Sequence, residues 1–292
     1  MHEKEAGMNK FRTIFLPLSI LIAVSQGPAS ALAGNIYDWK SLAPGMEIGI
    51  LTADNPSSVG DSRITVVRID PQLWDLEFMG ISLTGETNGL TAREWCKNHN
   101  FSACTNAGMF AVDYRTHIGY LQFRDHVNNS RVNDYKSVAA FDPRDGGFPR
   151  FRIFDLDAPD VTMQAILNDY ASAVQNLRLI KRPGLNRWGQ QHKMWSEAAL
   201  GEDNAGRILF IFCRSPFSMH DLNHELLTSN IGIVAAQHLE GGPEAQLYLH
   251  VDEVEIEMFG SYENSFREDN GNAIPWPVPN VLGVRARSPA AE

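Results

Sequence analysis

Three cysteines in 292 residues are too few to build a disulfide scaffold, and their spacing fits no zinc site. Export would permit one bridge: Cys96 and Cys104 lie close in sequence, which leaves Cys213 alone in a strand-like run at 207–213. The alternative is three buried thiols acting as small apolar residues. Basic residues are also scarce. Lys and Arg number 25 against 35 Asp and Glu, for a net charge of −10, which removes the electrostatic footprint of a nucleic-acid binder. No G-x-S-x-G is present, so a nucleophile elbow is excluded. No loop has EF-hand spacing; His220 and His224 are spaced i, i+4, but the flanking Asp221 and Glu225 complete no recognised metal arrangement, so the pair reads as a solvated helix face. The chain has no internal repeat and no low-complexity block.

What the chain does have begins at its N-terminus. Lys10 and Arg12 precede an apolar run at 14–24, and small residues ending in Ala31-Leu32-Ala33 follow. That order is the pattern of a secretory signal, and the apolar part is short for a membrane span. Residues 1–33 are therefore expected to be a signal peptide, with one functional domain at 34–292. The expected destination is the periplasm or the medium, without stable membrane insertion after cleavage. Loss of three basic and two acidic residues would take the charge to −11.

Strand signals dominate the remainder. Residues 63–69, 76–82, 137–141, 150–155, 207–213, 231–239 and 247–251 are β-branched or apolar and end at turn residues. A capping box at Thr91–Glu94 and an acid three residues after Ser218 each predict a helix start. Periodicity predicts a third helix over 163–174. The reading is α+β: a single strand-rich domain with mixed β-sheet and a few helices.

Three clusters can carry chemistry. In the first, an apolar run at 231–236 delivers Glu240 to the turn Gly241-Gly242-Pro243-Glu244. Paired glycines let backbone approach a ligand closely, and successive N–H groups can cradle an anion. The second is Asn106-Ala107-Gly108, followed by Asp113; Asn106 offers both a donor and an acceptor. The third is the turn-rich stretch 197–207, opening with Glu197. Arg178 and Arg214 flank apolar runs and suit bidentate binding of phosphate or carboxylate. Each of these motifs also reads as ordinary turn or ion-pair chemistry when taken alone.

Their order is more informative. N-A-G-x-F at 106–110, Gly119, Leu179-Ile180, A-L-G at 199–201 with Gly206-Arg207, and L-E-G-G at 239–242 occur in series. The set resembles the phosphodiester glycosidase family, over roughly residues 39–284. The resemblance implies an exported hydrolase acting on a sugar-1-phosphodiester or a related glycoconjugate. It departs from the family pattern in two places: Glu197-Ala198 stands where the family has Arg-Thr, and Pro243-Glu244 follows the glycines where the family continues G-S. Pro243 removes a backbone donor, and Glu197 would repel phosphate.

The resemblance gives Glu240 the role of nucleophile or water-orienting base, with Asn106 and Asp113 beside it as catalytic candidates. Gly108, Arg178, Glu197, Arg214, Gly241 and Gly242 are the expected substrate contacts, with Arg178 or Arg214 replacing the missing Arg. Hydrolysis of ordinary glycosides by Glu240 with Asp113 or Glu197 would need carboxyls about 5–5.5 Å or 6.5–9.5 Å apart. The competing reading is a non-catalytic exported protein of the same fold that binds glycans or envelope components. No metal ligand set is expected, and the sequence specifies no cofactor.

Overall fold

A computed structural model describes residues 34–36 and 38–288; the expected signal segment lies outside them. Among the described residues, eighteen strands form three sheets. The largest has the order β1 (Lys40–Ala43), β2 (Met46–Thr52), β3 (Arg63–Ile69), β14 (Ile208–Phe217), β13 (Trp195–Asp203), β15 (Ile233–Gly241), β11 (Arg178–Lys181), β12 (Leu185–Asn186). The second has the order β7 (His126–Asn129), β6 (Leu121–Phe123), β10 (Tyr170–Asn176), β8 (Ser137–Pro143), β9 (Phe151–Asp155). The third has β17 (Val254–Phe259), β16 (Gln246–Val251), β5 (Ala103–Asn106), β18 (Asn280–Ala286), β4 (Trp74–Gly80). Four helices complete it: α1 (Ile81–Thr84), α2 (Ala92–Asn98), α3 (Met163–Asp169) and α4 (Met219–Thr228).

The α+β class holds, but the expected mixture of strand directions does not: every pairing among the described strands is antiparallel.

All three sheets turn one face to a common core. Val67, Phe210 and Leu239 of the large sheet meet Phe141 and Val174 of the second and Leu247 and Leu282 of the third. The outer faces take the helices. α4 packs Leu222 and Leu226 on Ala199 and Ile211, while α2 packs Trp95 on Tyr248 and Val281. Central strands are thus covered on both sides, which is why β13 is buried from Ser196 to Asp203 although it carries Glu197, Glu202 and Asp203.

Both capped helices begin where the sequence placed them. Thr91 and Glu94 form the full reciprocal box, and the Ser218 side chain accepts from the Asp221 backbone N–H. The helix expected over 163–174 stops at Asp169, where the chain enters β10. Ser172 to Asn176 pair with β8 across a buried face, and that ladder overrides the local period. The three cysteines are buried free thiols, with Cys96 donating to the Phe101 carbonyl at 3.1 Å. No described helix is long and apolar enough to cross a membrane.

Candidate functional site

β15 runs antiparallel to β13 until the pairing breaks. Ala199 faces His238 and Ala198 faces Glu240, so Leu239 is an extra residue, a bulge one position before Glu240. Bulges re-aim side chains and recur beside active sites. Past Gly241, a single 3-10 turn, Gly242–Glu244, folds the chain back, with Gly242 at φ +60. A side chain at Gly242 would meet Glu263, and one at Gly260 would come within 2.0 Å of the Gly242 carbonyl oxygen. These close approaches pack the turn against the segment at 260–263.

The result is a cluster of acids around one imidazole. Glu240 is only 9% exposed, and its Oε2 has no hydrogen-bond partner among the described residues. Burial pushes its carboxyl well above the usual range, and the charges of Glu244, Glu197 and Glu263 push the same way. Burial raises Glu244 as well, and its carboxyl is a close electrostatic neighbour of Glu240. Glu263 is likewise raised by burial. Two tyrosines border the pair. Tyr114 is pushed up to about 12 by burial and by Glu244 and Glu240; Tyr135 is raised by burial and by Glu240.

Glu197 does not contact this pair through hydrogen bonds. Its Oε1 lies 2.7 Å from His238 Nδ1, and its Oε2 accepts from the Trp195 indole at 2.6 Å. Both carboxylate oxygens are therefore used, and Oε1 fixes the imidazole, with Nε2 unpartnered among the described residues. A carboxylate on one ring nitrogen is the usual means of setting which nitrogen carries the proton.

Asn106 is drawn to the same place for a different purpose. Its side-chain amide donates to the Glu244 carbonyl at 2.9 Å and accepts from the Gln246 N–H at 2.7 Å. The Asn side chain thus clamps the strand entry that carries Glu244, and neither of its ends is left for a ligand. Replacing Asn106 with alanine takes the side-chain partner from the Gln246 N–H and leaves the Glu244 carbonyl only a long contact with Gln246 Nε2 at 3.4 Å; it is expected to cost about 1–3 kcal/mol, measured as a lower urea midpoint.

Gly108 is also a packing position. At φ +144, an added Cβ would lie 2.1 Å from Asn176 Oδ1 and 2.4 Å from His117. His117 is itself buried and held down to about 4 by that burial. Gly108→Ala is expected to lose about 1–3 kcal/mol, read as a fall in thermal unfolding midpoint.

The remaining expected residues are not brought into the cluster. Asp113 sits on an exposed loop and accepts from the Arg115 and Thr116 N–H groups at 3.0 and 2.9 Å, a self-contained turn. Arg178 pairs with Asp155 and Asp157 at 3.1 and 2.7 Å. Arg214 donates to the carbonyls of Phe259, Asn270 and Asn272 and to the Asn270 side chain. Neither guanidinium replaces the absent family cation. Glu240, Glu244 and the Gly241-Gly242 turn, by contrast, are adjacent in space as in sequence. Sequence reasoning missed Glu263, Trp195, Tyr114, Tyr135 and His238. Glu244 stood in plain view four residues after Glu240, at a family-deviant position.

Paired carboxyls with raised proton affinity and a carboxylate-held histidine are the groups that acid–base chemistry draws on, which makes this cluster the candidate site. The profile of the phosphodiester glycosidase family matches residues 99–285, and the chain belongs to that family. The solved catalytic domain of zebrafish N-acetylglucosamine-1-phosphodiester alpha-N-acetylglucosaminidase, auto-inhibited by its pro-peptide, is similar in fold. The TM-score is 0.60 at 13% identity, covering 87% of each chain. A hypothetical protein from Synechocystis matches with TM-score 0.54 and 12% identity, over 86% of this chain and 64% of that one. No individually curated protein sequence matches.

Proposed function

We propose that the chain hydrolyses the bond between a sugar's anomeric carbon and the oxygen of a phosphodiester, and that it acts after export. The observation that carries this reading is the carboxyl pair on the L-E-G-G turn, Glu240 buried at the end of β15 and Glu244 half-buried four residues on, both raised in proton affinity. A phosphodiester bears one negative charge, which two ionised glutamates would repel. Two carboxyls sharing a proton present a donor instead. The basic, apolar and A-x-A order of residues 1–33 supports export.

In this reading Glu240 delivers its proton to the phosphate oxygen as the anomeric C–O bond breaks. Water forms the new bond to that carbon and gives its proton to His238 Nε2, while Glu197 holds the ring. The products are the free sugar and a phosphate monoester, and proton return from His238 to the pair resets the site. The protonated form favoured by burial suits an acid, rather than the nucleophile or base that the sequence pattern assigned to Glu240.

The test is a panel of sugar-1-phosphodiesters and aryl glycosides, assayed for released sugar and phosphate monoester. Turnover confined to phosphodiesters is expected; preference for aryl glycosides would overturn the substrate assignment. One observation favours a second reading. The charges acting most strongly on Glu240 are all acidic, which suits a non-catalytic exported protein binding glycan or envelope components through the same residues. A folded sample inert on both substrate classes would establish that reading instead.

A further inference from the structure

The hairpin between β8 and β9 carries an arginine at each foot: Arg144 directly follows β8, and Arg150 directly precedes β9. With Arg124 and Arg287 they line an open groove of about 500 Å³ that also contains Asp75 and Asp142. Arg287 is paired with Asp75, and Arg124 with Asp142 at 3.3 Å. The other two have no carboxylate partner among the described residues. Arg144 spends only Nε, on the Leu167 carbonyl at 3.2 Å, and Arg150 spends only Nε, on the Gln72 side-chain oxygen at 3.2 Å. Their terminal nitrogens stay available as donor forks. Four arginines against two aspartates leave the groove with a surplus of two positive charges, in a chain whose net charge is −10.

This surplus stands well away from the acid cluster. β8 pairs with β10 from Ser137↔Asn176 at one end to Pro143↔Tyr170 at the other. Asn176 lies against Gly108, at the end nearer the site, while Pro143 and Ala171 line the groove. Six residues of strand separate the two ends, about 20 Å.

We propose that the groove is a second binding site, for a phosphate-class ligand carrying at least two negative charges. Arginine forks match phosphate oxygens bidentately, and two free forks on one hairpin suit a ligand with two such faces. The Arg124–Asp142 and Arg287–Asp75 pairs hold the walls without neutralising the floor. The groove neither depends on the Glu240 chemistry nor contributes to it. Free pyrophosphate and phosphate esters share the required chemistry.

Calorimetric titration of the mature chain with inorganic pyrophosphate, and separately with glycerol 1-phosphate, tests the proposal. One saturable site is expected, weakened at least tenfold in the Arg144→Gln/Arg150→Gln double variant and unchanged in Glu240→Gln. Binding of both probes supports an ester ligand; binding of pyrophosphate alone supports a free anion. Asp142→Asn releases Arg124 and is expected to tighten binding severalfold, a gain that a misfolded variant could not produce. No saturable heat with either probe, or equal affinity in the double variant, would overturn the assignment.

Discussion

Glu240→Gln is expected to reduce phosphodiester turnover by roughly 10²–10⁴-fold, the usual contribution of a positioned acid or base, while raising stability at neutral pH. Glutamine keeps the size of the side chain and removes the transferable proton. The stability gain follows from linkage. Burial and its acidic neighbours hold the Glu240 carboxyl well above the ordinary value of about 4.3, and burial also raises Glu244. Between that ordinary value and the raised native ones, the folded protein binds more protons than the unfolded chain. Native stability therefore falls as pH rises through that window. In the wild type, the urea midpoint should drop as pH rises above about 4.3 and through the raised native values of the pair. In Glu240→Gln the drop should be shallower. Undiminished turnover, or an unchanged pH slope, would remove Glu240 from the role given to it.

Glu197→Gln is expected to reduce turnover by about 10²-fold through the protonation of a neighbouring ring. Two donors, the Trp195 indole and His238 Nδ1, converge on the two carboxylate oxygens of Glu197. Glutamine has only one oxygen to offer. If the indole keeps it, the amide NH₂ faces Nδ1 and drives the ring hydrogen to Nε2, where the water's proton must arrive. The loss should fall on kcat, with KM little changed. A variant that merely loosened the fold would lower the unfolding midpoint without that split.

The legible and illegible parts of the molecule differ in physical kind. β3, the start of α2 and the start of α4 were readable because β-branching and capping act over a few residues. β10 was not, because its apolar spacing is compatible with a helix and only its ladder to β8 decides the matter. The same division runs through the site. Glu240 and Gly242 announce themselves in one motif, whereas Glu263 arrives from a segment with no local signature. Arg178 and Arg214 had the right chemistry for an anion, but tertiary partners claim them first. Asn106 and Gly108 lie where the family resemblance put them, yet they clamp and pack.

Asn106 belongs to β5, whose two neighbours are β16 and β18, and β18 is inserted between β5 and β4. Both early strands of that sheet therefore wait for partners made more than 140 residues later. Synthesised from the N-terminus, the chain can build neither the clamp on Glu244 nor the acid cluster until nearly its last strand has been added. Pairings of such long range close slowly. The site is a late product of assembly, so a chain truncated before residue 280 carries the motifs of the acid cluster without the sheet that holds them together.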